Sequence, residues 1–170
     1  LNIIDFKYAI KIGYEAFAGI SVQNIDDLAV SCFLSEIKDN IFQDGLKEIQ
    51  ELKKKDYKIL LATGAHMSIA LIFSKYIEAD YCVATKSIVI NDHYTRKGIQ
   101  PLPYKEGKRD LVLQKINEIF GDEERIITVY TDEKKDLPLL SAANIYVAVN
   151  ADKQILDFIH LKGGESKIFK

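Results

Sequence analysis

The chain has 170 residues, of which 48% are hydrophobic and 28% are charged, and this composition suits one folded domain with a sizeable core. Its 23 basic and 25 acidic residues give a net charge of −2, which argues against a broad surface for nucleic acid or an anionic membrane. The two cysteines indicate neither a disulfide framework nor a zinc site. We therefore expect a cytoplasmic protein whose partner is a small molecule.

Residues 1 to about 40 differ from the rest because only helical periodicity is visible there. Apolar residues recur every three or four positions as far as Phe17, a glycine interrupts the pattern, and a second stripe runs from Ile25 to Phe33. Ser21 stands where a helix N-cap is expected. The spacing predicts a small helical unit at the N-terminal side of the chain.

From residue 41 onward, predicted helices and strands alternate. Alternation of this kind is typical of an α/β fold, in which crossover helices connect the strands of a parallel sheet. Between the second and third predicted strands, Asn91 and Asp92 lie at the centre of the short segment 87–95, which indicates a hairpin. The predicted strands cover 57–62, 81–84 and 126–130, and a last strand ends at Val149. The predicted hairpin covers 87–95, and a predicted helix covers 107–120.

Two aspartates four residues apart follow the apolar strand that begins at Ile126. Asp132 and Asp136 come directly after Thr131, where a parallel strand delivers its side chains to the ligand-facing edge of the sheet. One explanation is that these acids cap a helix and suit its dipole. The other is that two carboxylates one helical turn apart hold a hard cation such as Mg²⁺ between them.

Two further segments bring polar groups to the same expected edge. In LLATGAH, Thr63 ends a strand and the residues from Gly64 start a helix, so a hydroxyl and backbone N–H groups face one point and predict an anion cradle. In KEGKRD, Lys105, Lys108 and Arg109 open a helix, where a local anion would offset the unfavourable helix dipole. The alternative explanations are that Thr63 and Gly64 simply form a turn, and that the basic residues of KEGKRD are solvated and bind no anion.

Together the three segments resemble the haloacid dehalogenase (HAD) superfamily, and most closely its phosphoserine-phosphatase-like branch. Thr63 is similar to the second family motif, Lys108 to the third, and Asp132 with Asp136 to the fourth, in the same order. The resemblance implies a Rossmann-like, doubly wound parallel sheet with a small helical cap. It also implies that Thr63 and Gly64 bind phosphate, that Lys108 neutralises it, and that Asp132 and Asp136 hold Mg²⁺, with Lys108 and Asp132 catalytic.

The chain departs from the family pattern in two ways. Thr131 stands where the family usually has glycine and Glu133 where it has a small residue, so Glu133 either disturbs the metal site or points away. The first motif, a strand ending in Asp-x-Asp that supplies the nucleophile and the acid/base, is not found in the sequence. Asp5 in IIDFKY is the nearest match, but a lysine occupies the place of the second acid and the periodicity favours a helix.

The missing motif leads to a prediction about domain organisation. Residues 1–40 are interpreted as a partial helical cap, and residues 41–170 as a HAD-like core that lacks its first strand. In the resembled fold that strand lies between the strands 58–62 and 126–130, so we expect these two not to pair directly with each other. Without a partner, each would expose unpaired backbone groups at one edge.

The functional expectation is a Mg²⁺-dependent phosphomonoester hydrolase that acts on a small phosphorylated metabolite through an aspartyl-phosphate. Without the nucleophile, the 170-residue chain itself is expected to be inactive. The alternative from another class is a non-catalytic HAD-fold binding or regulatory module, which Thr131 and Glu133 favour. A receiver-like phosphoacceptor domain fits less well, because it would place a lysine directly after a late strand, whereas Lys108 opens a helix.

Overall fold

The structure is a computed structural model of the chain, and it describes residues 5–170. Two helices come first, and helices then alternate with strands to the end of the chain. None of the helices within 5–170 is long and apolar enough to cross a membrane. The helices are α1 (Phe6–Phe17), α2 (Val22–Cys32), α3 (Gln43–Lys54), α4 (Met67–Tyr76), α5 (Glu106–Phe120), α6 (Leu137–Leu140) and α7 (Lys153–Leu161), and the strands are β1 (Leu60–His66), β2 (Tyr81–Thr85), β3 (Ser87–Ile90), β4 (His93–Gly98), β5 (Thr128–Thr131), β6 (Ile145–Val149) and β7 (Glu165–Lys167).

The first two helices confirm that the N-terminal part of the chain is helical. Between α1 and α2, Gly19 has a φ of +80°, a conformation that glycine adopts without a steric penalty. The Ser21 hydroxyl accepts a hydrogen bond from a backbone N–H in the first turn of α2, so it is the expected N-cap. A π-helical turn, Phe33–Ile37, and a 3₁₀ turn, Lys38–Asn40, extend α2. The division into two domains at residue 40 stays a prediction.

The strands confirm the expected mixed α/β architecture with parallel pairing. β1 pairs with β2, and β5 pairs with β6, which pairs in turn with β7, all in parallel. The antiparallel hairpin β3–β4 turns at Asn91 and Asp92, whose φ angles of 48° and 59° are those of a two-residue hairpin turn. Within residues 5–170, β1 and β5 do not pair with each other, as expected. The idea that the fold's first strand belongs between them stays a prediction.

The main hydrophobic core lies between the strands β5 and β6 and the helices that cover them. Four of its members, Leu140, Ala148, Ile155 and Ile159, are at most 1% exposed. Strands in this core carry apolar residues on both faces, as parallel strands covered by helices do. In the part of the chain that the structure describes, none of the core residues comes from α1 or α2. The core comprises Val83, Val112, Val129, Leu139, Leu140, Ala148, Ile155 and Ile159.

Two features of the strands differ from the sequence-based prediction. β1 was expected over 57–62 but covers Leu60–His66, because its pairing with β2 begins at Tyr81 and continues to Thr85. The chain before β1 is instead held by Asp80, whose carboxylate accepts the Ile59 N–H at 2.8 Å. β7 was not predicted at all, because the polar run Glu165–Lys167 shows no apolar alternation and joins β6 through backbone pairing.

Candidate active site

A cavity of about 410 Å³ lies between the end of β1 and the end of β5. Its volume is within the range of small-molecule sites, which is about 300–1,000 Å³. All five residues that the sequence singled out for phosphate and metal binding line it, so the structure brings these three chain segments together. The lining residues are Phe6, Ala62, Thr63, Gly64, Ala65, Pro103, Tyr104, Lys108, Tyr130, Thr131, Asp132, Glu133, Lys135 and Asp136.

At the end of β1, the structure corrects the expected start of the next helix. Gly64 was predicted to open a helix, but Gly64 and Ala65 lie within β1, and α4 begins only at Met67. The reason is that β1 pairs with β2 again at His66 after a register shift that follows Ala62, and the Thr85 hydroxyl donates a 2.7 Å hydrogen bond to the Gly64 carbonyl. Helix N–H groups therefore do not form the predicted cradle at Gly64.

The first turn of α4 is capped by His66 rather than left open to an anion. The His66 Nδ1 accepts the Ser68 N–H at 3.3 Å, and its Nε2 lies 3.1 Å from the Ser87 hydroxyl. Because Nδ1 is an acceptor, the proton of the neutral ring is on Nε2, which donates to Ser87. Burial lowers the pKa of His66, with a smaller opposing effect from Asp26. Thr63 keeps its hydroxyl at the cavity, where it accepts the Ala65 N–H at 3.1 Å.

At the end of β5, Lys108 and Asp136 form a close ion pair. The Lys108 Nζ lies 2.5 Å from Asp136 Oδ1, and each side chain is only 13% exposed. The Thr131 hydroxyl donates to Asp136 Oδ2 at 3.0 Å and accepts the Glu133 N–H at 3.1 Å. Both carboxylate oxygens of Asp136 are thus engaged. Thr131, which departs from the family pattern, therefore supports Asp136 and the turn after β5.

Asp132 is the open carboxylate of the site. It lines the cavity, is exposed, and makes no hydrogen bond or ion pair with the described residues. The side chain of Glu133, 51% exposed, lies 3.7 Å from the Lys135 ammonium, so it is directed to a surface lysine. Both residues also line the cavity, so whether Glu133 disturbs the metal site or points away from it stays a prediction.

The donor atoms fit Mg²⁺ only in part. Carboxylate oxygens are the ligands that Mg²⁺ prefers, and Asp132 offers them at the cavity. Asp136 would have to exchange the Lys108 ammonium for the metal at one of its oxygens. Residues 5–170 contain no cluster of three or more His, Cys, Asp or Glu side chains that could hold a metal. Two protein carboxylates remain compatible with Mg²⁺, since this ion usually keeps several waters.

The other candidates lie away from this centre. Arg109 donates two hydrogen bonds to Asp110, at 2.9 Å and 2.7 Å, and the Lys105 ammonium lies 5.3 Å from the centroid of the Tyr104 ring. Neither of these two basic residues lines the cavity. Asp5 is the exposed residue before α1, and it is not among the residues that line the cavity. The structure therefore gives no support to Asp5 as a nucleophile.

A polar cluster that sequence reasoning missed lies behind β5. The Tyr130 hydroxyl donates to Glu48 of α3 at 2.7 Å, and Lys167 of β7 forms an ion pair with the same carboxylate. Lys167 and then Tyr130 lower the pKa of Glu48, while burial and the Glu48 hydrogen bond raise that of Tyr130. These contacts link α3, β5 and β7. They join residues far apart in sequence, so no local spacing could have revealed them.

Comparisons with known proteins show the family to which the chain belongs. A model for haloacid dehalogenase-like hydrolases matches residues 6–141. The chain belongs to this family. The match covers the segments that contain Thr63, Lys108, Asp132 and Asp136, so the resemblance inferred from the motifs is confirmed. No curated protein sequence gives a significant match to this haloacid dehalogenase-like hydrolase.

Solved structures share the fold of this haloacid dehalogenase-like hydrolase at low sequence identity. A protein with unknown function from Bordetella pertussis Tohama I has a TM-score of 0.86 and 16% identity, covering 96% of this chain and 74% of that one. A probable phosphoserine phosphatase from Vibrio cholerae has a TM-score of 0.66 and 15% identity, covering 91% and 45%. A substrate-bound phosphoserine phosphatase has a TM-score of 0.61 and 16% identity, covering 91% and 70%. The chain therefore spans less than half of the Vibrio cholerae protein.

Proposed function

We propose that the chain forms the phosphate- and metal-binding part of the active site of a Mg²⁺-dependent phosphomonoesterase. The observation that carries this proposal is the meeting of Thr63, Lys108, Asp132 and Asp136 around one cavity. A hydroxyl, an ammonium group and two carboxylates are the groups that binding a phosphate dianion with a hard cation requires. The similarity of the fold to phosphoserine phosphatases supports a small phosphorylated metabolite as the substrate.

Each residue has a distinct role in this proposal. The Thr63 hydroxyl donates to a phosphoryl oxygen, and the backbone of Gly64, which also lines the cavity, is a further contact for the phosphate. The Lys108 ammonium offsets the negative charge of the phosphate, and Asp136 holds that ammonium at the cavity. Asp132 is the principal carboxylate for Mg²⁺, with Asp136 as the second. When bound, Mg²⁺ would polarise the phosphoryl group and offset charge that repels an attacking carboxylate.

The reaction proposed for the protein passes through an aspartyl-phosphate. An aspartate attacks phosphorus, the bond to the leaving oxygen breaks, and a neighbouring acid protonates that oxygen. The same acid then takes a proton from water, which hydrolyses the acyl phosphate and regenerates the aspartate. The Asp-x-Asp pair that would supply both groups is not present in residues 1–170. The proposal for this chain therefore concerns binding and charge neutralisation, and the chain alone is expected to show no turnover.

The test of this proposal is Mg²⁺ binding by the 170-residue chain, measured by titration calorimetry. We expect Asp132→Asn to weaken Mg²⁺ binding at least about tenfold and to leave the fold intact, because Asp132 is exposed and has no protein partner among the described residues. In a protein that also contains the Asp-x-Asp pair, the same change should abolish Mg²⁺-dependent hydrolysis of a generic phosphate ester. Asp110→Asn is the matched control, because Asp110 is on α5 but outside the cavity.

One observation favours the second candidate, a non-catalytic binding or regulatory module. Asp136 uses both of its oxygens for Lys108 and Thr131, which leaves the site compact without a metal. A module of this kind would bind inorganic phosphate equally well with and without Mg²⁺. Unchanged Mg²⁺ binding in Asp132→Asn, together with metal-independent phosphate binding, would therefore replace the phosphatase proposal by this one.

A further inference from the structure

Two aromatic rings form one wall of the cavity. Phe6, at the start of α1, and Tyr104, just before α5, stack with ring centroids 4.3 Å apart and planes inclined by 12°. Both residues line the cavity. Their stacking brings the start of the N-terminal helical unit to the site, although the two residues are far apart in sequence. Neither was singled out in the sequence for binding or catalysis, so their role is not explained by the phosphate-binding groups.

The stacked rings lie next to the groups proposed to bind phosphate. A Cβ atom added to Gly64 would come within 2.8 Å of Phe6 Cζ, so the Phe6 ring packs directly on the backbone beside Thr63. Tyr104 precedes Lys108 by four residues, and both line the cavity. A phosphate ester bound through Thr63 and Lys108 would therefore have its leaving group within reach of this aromatic wall.

The charged side chains that line the cavity are mostly paired with one another. Lys108 is paired with Asp136, and Lys135 lies 3.7 Å from Glu133, which leaves Asp132 as the open charge among the described lining residues. An amino-acid leaving group carries both an ammonium and a carboxylate, and each of these needs a partner when it loses water. The aromatic wall provides neither a cation nor an anion. It provides apolar surface, on which another ring stacks favourably.

We propose that Phe6 and Tyr104 bind the leaving group, and that the site prefers phosphate esters of aromatic alcohols to O-phosphoserine. This inference rests on the proposed function, since it assumes that phosphate is held by Thr63 and Lys108. Lys105 does not change the expected preference, because its ammonium lies over the Tyr104 ring and not among the lining residues. The two rings are specificity residues, and they take no part in proton transfer.

The experiment compares the affinities of phenyl phosphate, O-phosphoserine and inorganic phosphate for the 170-residue chain in the presence of Mg²⁺, by titration calorimetry. We expect phenyl phosphate to bind about tenfold more tightly than inorganic phosphate, which is the size of a favourable ring–ring contact. O-Phosphoserine should bind no more tightly than inorganic phosphate. Phe6→Leu and Tyr104→Leu should each reduce the ratio of phenyl phosphate to inorganic phosphate affinity towards one.

Leucine keeps apolar volume at both positions, and circular dichroism checks that the variants fold. Tyr8→Leu is the control, because Tyr8 is an aromatic residue of α1 that is 58% exposed and outside the cavity, so the affinity ratio should not change. Tighter binding of O-phosphoserine than of phenyl phosphate would overturn the inference even if the variants were unstable. An unchanged ratio in both folded leucine variants would also overturn it.

Failure of the proposed function gives a different result. If inorganic phosphate does not bind, or if Thr63→Val and Lys108→Met bind it as tightly as the unsubstituted chain does, then the proposed phosphate site is wrong. The inferred preference for aromatic esters is then wrong as well, because it assumes this site. If inorganic phosphate binds and both changes weaken it, while phenyl phosphate gains nothing, then only the leaving-group inference is wrong.

Discussion

The end of β5 is held by charged groups that pair with one another, whereas the end of β1 is held by neutral groups and backbone pairing. At β5, the Lys108–Asp136 ion pair and the Thr131 hydroxyl fix the turn. At β1, the Thr85 hydroxyl and the His66 imidazole occupy the polar groups around Gly64 and α4. The two sides of one cavity are therefore stabilised by different interactions.

This difference indicates how the two sides take part in binding. On the β5 side, the Lys108 ammonium is held in place before any ligand binds. A ligand must therefore compete with Asp136 for this ammonium group. On the β1 side, the Thr63 hydroxyl makes one hydrogen bond with the described residues, which it accepts from the exposed Ala65 N–H. Substitutions in the Lys108–Asp136 pair and in Thr131 should therefore lower folding stability, whereas substitution of Thr63 should mainly lower phosphate affinity.

The largest effect is expected for Lys108→Met. Removing one partner of this part-buried ion pair leaves the Asp136 carboxylate uncompensated, and we expect a loss of about 2 kcal/mol in the free energy of unfolding. Urea denaturation measures this loss. The double variant Lys108→Met, Asp136→Asn should recover part of it, because no unpaired charge remains.

Lys115→Met is the control for Lys108→Met on the same helix. Its ammonium lies 2.9 Å from Glu118, but the pair is 37% and 49% exposed, so its removal should change stability little. Equal destabilisation by the two lysine changes would show that the ion pair is not what holds the β5 side of the cavity.

A threonine-to-valine change at each strand end is the second test of the comparison. We expect Thr131→Val to cost about 1.5 kcal/mol, because Thr131 is 5% exposed and loses its hydrogen bonds to Asp136 and Glu133. Thr63→Val should cost about 0.5 kcal/mol, because the exposed Ala65 N–H can donate its hydrogen bond to water instead. Affinity for inorganic phosphate should follow the opposite order and fall more in Thr63→Val. The same ranking in both measurements would contradict the division of roles.

The sequence predicted most of what backbone chemistry determines locally. The order of helices and strands as far as β6, the Ser21 cap, the turn at Asn91 and the end of α5 at Phe120 agree with the structure, because each depends on neighbouring residues. The motif segments also predicted which groups would meet, since parallel strands end at one edge of a sheet. The fold class and the family could therefore be inferred from the sequence.

The contacts that distinguish the two sides of the cavity could not be predicted in this way. The start of α4 was placed too early, because the pairing of His66 with Thr85 extends β1 through a sequence that looks like a turn. The Phe6–Tyr104 stack and the contact of Tyr130 with Glu48 join distant segments. Such contacts depend on how whole elements pack, and no spacing along the chain records them.

The smallest effect is expected from pH, and it concerns the β1 side. Burial lowers the pKa of His66, so the unfolded chain binds a proton more readily than the folded one. The stability that neutral His66 contributes is complete above its unfolded pKa of about 6.5 and is lost as pH falls through the lower folded value. Protonation would also remove the Nδ1 acceptor of the Ser68 N–H. His66→Asn keeps a capping side chain but does not titrate, so the free energies of unfolding of the two proteins, measured by urea denaturation at pH 7.5 and pH 5, should diverge only at the lower pH. A wild-type protein whose stability falls no more than that of His66→Asn would show that His66 does not hold the β1 side.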